Sequence, residues 1–288
     1  MPTDFQTIVH SIGDLPPMPA VATKVLELLG NPNINYNRLG EAVSSDPAVS
    51  ARLLKVANSA FYSMSRQIKT LDHAIAVVGE RTLRSLILAA SLEGMNKSYG
   101  LLEKLLWEDS IGCAIGSRIL ARKFSSADPE EAFLSGLFRH LGKIVMNYSD
   151  PEAYRSLVEA VYVGEGSYTV LEGNFFPYAH AVVGAAVLDK WNFNRSLVMT
   201  TMHHSDLKIP IEEESAEGDR ALFRLTATVN LSDRICKRLG IGHREADETV
   251  DVARCLGARA LDLDEAAVQA ATGEVEQVFA ENREFFVS

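Results

Sequence analysis

The chain has 288 residues, of which 47% are hydrophobic and 23% charged, a composition typical of a folded globular protein and unlike that of a disordered or fibrous one. Its 38 acidic residues outnumber the 28 Lys and Arg residues, and the net charge of −10 argues against broad electrostatic binding to nucleic acid or to an anionic membrane. No apolar run approaches the roughly 20 residues needed to cross a bilayer and the N-terminal segment has no leader pattern, so we expect a cytoplasmic protein.

Three short helices are predicted in the first part of the chain. In AVATKVLELLGN the apolar residues recur at helical spacing, and Gly30 with Pro32 ends the helix. The segment NYNRLGEAVSSD predicts a second helix. Asp46 as the N-cap and Pro47 at the first helical position then predict the start of a third.

The segment LDHAIAVVGERTLRSLILAAS predicts two helices hinged at Gly79. The second of these is expected to bury Leu83, Leu86, Ile87 and Ala90. A looser stretch over 94–100 then marks a candidate boundary between two helical subdomains. We place the first subdomain at 1–98 and the second at 99–288.

Further helices are predicted along the second subdomain, with Gly or Pro between most of them. They lie near 101–123, 129–147, 151–163, 177–191, 195–204, 218–239, 243–257 and 264–283. No alternating strand of useful length is visible, so the predicted fold class is all-α. The three cysteines are far apart and form no CxxC pair, so neither a disulfide framework nor a thiolate zinc site is expected.

Several ordered motifs resemble the HDOD family, the HD-related output domains of bacterial signalling proteins. They include DPAVSARLLKVANSAFY, EEAFLSGLFRHLGKIV, EGNFFPYAHAVVGAAVLDKWNF and MTTMHHSD, and the resemblance runs from about Leu15 to the end of the chain. It implies a multi-helix architecture in which a helical N-terminal half packs on an HD-like helical half. The HD-like half is distantly related to metal-dependent phosphohydrolases.

The resemblance also implies where a metal site would lie. In the related hydrolases a His, a His-Asp doublet and a distant Asp hold a divalent metal, and further His residues can hold a second one. Carried onto this sequence, the pattern falls on Asp109, on Arg139 and His140 for the doublet, on His180, on His203 and His204, and on Asp233. The doublet is therefore altered, and the resemblance implies a degenerate HD site.

Arg139 is the decisive departure from the hydrolase pattern. A guanidinium stays protonated and offers no lone pair, so it cannot coordinate a metal and would repel one. Our hypothesis is that its charge stands in place of the metal and pairs with Asp109 and Asp233. We therefore expect no catalytic residue, no metal and no cofactor.

Two alternatives to this hypothesis remain open. A rearranged metal site of a phosphohydrolase or phosphodiesterase could form from Asp109, His140, His180, His203, His204 and Asp233. Alternatively, His180 could be a hydrogen-bonded core residue, and His203 and His204 could simply complement a helix C-terminus. If one helix carries Arg139 and His140, they differ by about 100° around it and reach one site only if it lies between them.

Nucleic-acid binding is a third possibility. The early helices could imitate a helix-turn-helix with a basic face formed by Arg52, Lys55, Arg66, Lys69, Arg81 and Arg84. The acidic total favours the simpler interpretation, in which these side chains are solvated partners of surface carboxylates.

The expected function is that of a non-catalytic signal-transduction module that acts through protein contact. The family resemblance suggests receivers, kinases or cyclic-dinucleotide enzymes as partners, in a two-component or cyclic-dinucleotide pathway. Since no receiver is found in this sequence, we expect input from a partner or from a region outside it. The candidate contact surface is Asn58, Ser59, Phe61 and Tyr62, although Phe61 and Tyr62 could instead seal the joint between the two halves.

Overall fold

The computed structural model describes residues 16–30, 36–59, 68, 70–95, 100–209 and 216–286. All regular structure in these ranges is helical, with no strand, which confirms the predicted all-α class. Among the same residues, none of the helices has the combination of length and apolar character that crossing a membrane requires.

The helices follow one another closely along the chain. The described N-terminal helices are α1 (Ala20–Leu29), α2 (Tyr36–Ser44), α3 (Pro47–Ala57) and α4 (Leu71–Met95). They are followed by α5 (Leu101–Phe124), α6 (Pro129–Phe138), α7 (Leu141–Ser149), α8 (Pro151–Tyr162), α9 (Tyr168–Phe175), α10 (His180–Lys190), α11 (Arg195–His203), α12 (Ala216–Leu239), α13 (Leu256–Ala260) and α14 (Glu265–Phe286).

Three helices begin with the same Asp-Pro pair. The Asp46 carboxylate accepts hydrogen bonds from the first free N–H groups of α3, as predicted. Asp128 does the same for α6 and Asp150 for α8. In each case the following proline occupies the first helical position, where its missing N–H costs nothing.

Gly79 divides α4 into two helices, as the sequence predicted. Its φ of 76° and ψ of 162° lie in a region that glycine alone adopts readily. Beyond it, the expected residues Leu83, Leu86, Ile87 and Ala90 are all buried. The hinge therefore directs the second half of α4 into the protein.

Replacing Gly79 by Ala should destabilise this hinge. A Cβ there meets no atom within 4 Å, so the penalty arises from the backbone conformation and not from a clash. We expect the free energy of unfolding to fall by about 1–3 kcal/mol in chemical denaturation. An unchanged stability would show that residues 71–95 do not need this backbone conformation.

The second half of α4 belongs to two apolar clusters. Leu83 and Leu86 pack with α1, α2 and α3 around Leu39 and Leu53. Later residues of the same helix, including Leu92, join the large cluster formed by the helices that follow. The N-terminal helices are thereby packed on the rest of the chain, while the division at 98/99 stays a prediction.

Helix α5 is the centre of the second part of the chain. Every residue from Leu106 to Ala121 is buried, because neighbouring helices cover this helix on all sides. Asp109 projects from this central helix, so its carboxylate lies in the interior. The helices that carry the other candidate site residues all pack in this part of the fold.

Three sequence predictions about helices were wrong. The helix near 129–147 is interrupted between Phe138 and Leu141, so that Arg139 and His140 lie at a break between α6 and α7. The helix near 243–257 is absent. Gly240 and Gly242 have positive φ, and turns follow them in place of a helix. Helix α9 was missed, since the predicted helices near 151–163 and 177–191 leave the residues between them unassigned.

Candidate functional site

The break between α6 and α7 places Arg139 and His140 side by side in the interior. Both side chains contact Asp109, which lies between them, as the sequence analysis required for residues about 100° apart around a helix. Arg139 is completely buried. Among the described residues, it is the largest of the fully buried side chains. A buried guanidinium requires partners for its donors.

Arg139 bridges two carboxylates from two other helices. Its Nη2 donates to Asp109 Oδ1 on α5 at 2.6 Å, and its Nε donates to Asp233 Oδ1 on α12 at 2.7 Å. Nη1 donates to the backbone oxygens of Asp109 and Gly136, each at 3.2 Å. This is the ion cluster that the sequence hypothesis described.

The cluster favours the charged form of all three groups. Burial opposes ionisation of the two carboxyls, but Arg139 together with other nearby basic groups outweighs it, and the pKa of both Asp109 and Asp233 is lowered. Burial also opposes the charge of Arg139, and the two carboxylates raise its pKa well above the ordinary value. The charge of Arg139 and the charges of the two carboxylates therefore stabilise one another.

His140 contacts the carboxylate oxygen of Asp109 that Arg139 does not use. Its Nδ1 is 2.6 Å from Asp109 Oδ2, so the ring donates this proton to the carboxylate, while Nε2 is 3.8 Å from Asp233 Oδ1. Burial, with the nearby charges of Arg139 and Lys143, lowers the pKa of His140 well below its ordinary value. The ring is therefore neutral at physiological pH.

His180 and His204 complete a group of three imidazoles. His180 is the first residue of α10 and donates from Nδ1 to Glu172 Oε1 at 2.5 Å. His204 follows α11 and donates from Nδ1 to the Thr201 oxygen at 2.8 Å. The backbone oxygen of His204 accepts from the Asn230 side chain, which fixes the end of α11 against α12.

The three rings contact one another directly. The ring centroids of His140 and His180 are 5.0 Å apart, those of His140 and His204 are 5.1 Å apart, and those of His180 and His204 are 5.5 Å apart. His203 does not join them. Its Nδ1 lies 3.2 Å from Asp206 near the surface, so its inclusion among the candidate ligands is corrected.

Three residues that the sequence interpretation missed belong to the same region. Buried Lys143 places its ammonium 4.2 Å from the centre of the Tyr168 ring, and burial lowers its pKa. Glu172 orients His180, and its position eight residues earlier in one quoted motif was the only available signal. His243 Nε2 lies 3.9 Å from Asp109 Oδ1, brought there by the turn at Gly242.

The ligand set of the related hydrolases does not fit a metal here. Two positions of that set carry carboxylates, but Asp109 and Asp233 are already bonded to Arg139, whose charge lies between them. A divalent ion at these oxygens would have to displace a fully buried guanidinium that has no other partner for its charge among the described carboxylates. We therefore derive no chemical step through such an ion.

The candidate partner surface is only partly described. Phe61 and Tyr62 lie outside the described residues. Ser59 is buried, and the Asn58 side-chain amide bonds to the backbone of Ile68 on both its oxygen and its nitrogen. Neither Asn58 nor Ser59 therefore offers the predicted contact, because both serve the internal structure of the N-terminal helices.

Two residues of the proposed basic face form polar interactions within the protein. Arg81 pairs with Asp128 at 2.9 Å, and Arg52 donates to the backbone oxygen of Ala90. Arg66 and Lys69 lie outside the described residues. Arg81 therefore has a carboxylate partner of the kind expected, whereas the bond described for Arg52 is to the backbone.

Fold and site together define an all-helical domain in which a buried arginine stands among the carboxylates and histidines of an HD-like centre. The chain belongs to the HDOD family, whose domain model matches residues 15–207. That match includes Asp109, Arg139 and all three converging histidines, and it ends before Asp233. The resemblance on which the sequence analysis drew is thereby confirmed.

Solved structures share the fold over nearly the whole chain. An HDOD domain protein of unknown function from Geobacter sulfurreducens is 20% identical, with 99% of this chain and 97% of that chain covered and a TM-score of 0.77. A Shewanella amazonensis SB2B protein, provisionally named a phosphohydrolase, is 21% identical over 98% of this chain and 97% of its own, with a TM-score of 0.71. At these identities the likeness shows the fold alone.

Two further relatives are longer than this chain. A Marinobacter aquaeolei VT8 protein, provisionally named a signal transduction protein, is 19% identical with a TM-score of 0.65, over 94% of this chain and 58% of its own. An uncharacterised protein of Treponema pallidum (strain Nichols) is 26% identical over 208 residues, which are 72% of this chain and 40% of that protein. This chain thus spans about two fifths of the length of the Treponema relative.

Proposed function

We propose that this HDOD chain is a non-catalytic signal-transduction module that passes on a regulatory state by contact with other proteins. The observation that carries the proposal is the complete burial of Arg139 between Asp109 and Asp233, at positions where a hydrolase of the HD type needs metal ligands. A metal-dependent hydrolase depends on an open coordination position at its ion. Here the carboxylates are committed to a permanent cation instead.

Family membership and the charge of the chain support the same proposal. HDOD domains are output domains, and one relative of this fold carries the provisional name of a signal transduction protein. The net charge of −10 favours protein partners over nucleic acid. We propose receivers, kinases or cyclic-dinucleotide enzymes as the partner classes, in a two-component or cyclic-dinucleotide pathway.

We propose a second candidate contact surface, because Ser59 is buried and the Asn58 side chain is bonded within the N-terminal helices. Val163 follows α8 directly and Val170 lies in the first turn of α9, and they are 74% and 70% exposed, among the most exposed large apolar side chains in the described residues. Tyr162 beside them is covered in part by Arg244, 4.5 Å from its ring centre. This part of the surface is our candidate for partner contact.

The proposal is tested by measuring phosphoester hydrolysis with the full chain. We expect no turnover of bis(p-nitrophenyl) phosphate or of a cyclic dinucleotide above a protein-free blank when Mg²⁺, Mn²⁺ or Zn²⁺ is supplied, because no ion can use the Asp109 and Asp233 carboxylates. A known HD-type phosphodiesterase serves as the positive control. Turnover that rises in proportion to the concentration of this chain, and that D109N or D233N removes, would overturn the proposal.

A further inference from the structure

The three histidines of the cluster, His140, His180 and His204, share one protonation pattern. Each ring donates its Nδ1 proton to a fixed acceptor, namely Asp109 for His140, Glu172 for His180 and the Thr201 oxygen for His204. The Lys143 ammonium is 3.4 Å from His140 Nδ1, but a nitrogen that donates to a carboxylate at 2.6 Å cannot also accept from Lys143. All three rings are therefore left with Nε2 as the unprotonated nitrogen.

Nitrogens of the three rings lie close together. One nitrogen from each ring lies within 4.8 Å of those of the other two. Nε2 of His180 is completely buried and has no hydrogen-bond partner among the described residues, an arrangement that costs free energy unless something binds there. The histidine cluster therefore contains a buried acceptor that no described group satisfies.

We propose that His140, His180 and His204 form a binding site for one zinc-class divalent ion, through Nε2 of each ring. Three neutral imidazoles are ligands that zinc, cobalt and nickel favour. A tetrahedral ion bonded to three imidazoles at about 2.0–2.1 Å holds their ring centroids about 5 Å apart. The observed centroid separations of 5.0, 5.1 and 5.5 Å are close to this spacing.

The groups behind the rings suit the same role. Metal-bound histidines characteristically donate their other N–H to a carboxylate or a backbone carbonyl, which orients the ring and makes it a better ligand. Asp109, Glu172 and the Thr201 oxygen supply these acceptors. Asp109 therefore has two roles, since one oxygen accepts from Arg139 and the other from His140.

The local charge also permits a cation. Arg139 and Lys143 are the cations nearest the rings, and Asp109, Asp233 and Glu172 are the carboxylates. With Arg234, which lies 3.9 Å from Asp233, three carboxylates balance three cations when Lys143 is protonated, so no net positive charge opposes an ion. The three histidines fall at positions of the hydrolase pattern, but the proposed site uses neither Asp109 nor Asp233 as a ligand and leaves the pairing of Arg139 intact.

The site is tested with Co²⁺, whose visible absorption is strong in tetrahedral coordination. Full-length protein freed of metal with a chelator should bind one Co²⁺ per chain, and Zn²⁺ should displace it. The H180Q and H204Q variants should each lose at least about 100-fold in affinity, because a ligand is removed. The positioning variant E172Q, which keeps His180 but weakens its partner, should lose about 10–100-fold.

His203→Gln is the matched control, since this neighbouring histidine bonds to Asp206 outside the cluster and its loss should leave the affinity within about twofold. If a variant fails to fold, X-ray absorption spectroscopy of the wild-type zinc complex decides the question by counting imidazole ligands at about 2.0 Å. Failure to bind Co²⁺, or binding unchanged in both H180Q and H204Q, would overturn the inference.

The outcomes separate this inference from the proposed function. Ion binding without phosphoester turnover supports both. Absence of ion binding and of turnover overturns the metal site alone. Turnover that D233N, H180Q or H204Q removes overturns the non-catalytic proposal, whereas Co²⁺ binding by the wild-type chain decides the metal site separately.

Discussion

Replacing Arg139 by Met is expected to lower the free energy of unfolding by about 3–5 kcal/mol. The substitution keeps the volume of the side chain but leaves Asp109 and Asp233 buried without their cation. The cost is large because a buried charge that loses its partner is no longer compensated by solvent. Urea denaturation at neutral pH, followed by circular dichroism, measures this loss.

Two further variants identify the cause. Arg254→Ala is the control, because Arg254 pairs with Asp251 at the surface, where the two side chains are 87% and 55% exposed. This variant should change the free energy of unfolding by less than about 0.5 kcal/mol. The triple variant R139M/D109N/D233N removes all three charges and should recover most of the loss, because neutral groups avoid the uncompensated charge. A loss below about 1 kcal/mol in R139M would contradict the ion cluster.

A second large effect is expected at Gly142, where α7 passes α10. A Cβ at this position would overlap the backbone oxygen of His180 and press on the backbone of Gly184. The two helices would have to separate, so we expect Gly142→Ala to cost about 3 kcal/mol in the free energy of unfolding. The same separation would move His140 away from His180 and weaken Co²⁺ binding at the proposed site.

Gly173→Ala is the matched control for this substitution. Gly173 also lies in a helix, α9, but a Cβ there would meet no atom within 4 Å. Ala should therefore be neutral or stabilise the protein by up to about 1 kcal/mol, through its higher helix propensity. Equal destabilisation by the two variants would show that helix contact at Gly142 is not the cause.

Much of the fold could be predicted because local signals and tertiary packing agree. The Asp-Pro start of α3 and the Gly79 hinge both have a single physical explanation that depends only on nearby residues. The interruption at Arg139 could not be predicted in this way, since FLSGLFRHLGKIV has continuous helical periodicity. There the requirement to bury Arg139 against Asp109 and Asp233 outweighs the local preference for one helix.

The sequence predicted the site only through residue types at positions that match the pattern of the related hydrolases. Family resemblance singled out His140, His180 and His204, which the fold brings together from three separate helix ends. It could not separate His204 from His203, because adjacent residues on a helix face directions about 100° apart and only packing decides which one is buried. Lys143 and His243 were beyond prediction for the same reason, since only their tertiary position near Asp109 makes them relevant.

The most direct test of whether Arg139 takes the place of a metal is a crystal structure of this chain grown with Mn²⁺ or Zn²⁺. Anomalous diffraction would locate any bound ion. We expect Arg139 to remain hydrogen-bonded to both Asp109 and Asp233, with no ion on either carboxylate and any bound ion held by histidine Nε2 atoms. An ion bonded to Asp109 and Asp233 at about 2.0–2.2 Å, with Arg139 displaced from both, would contradict the account.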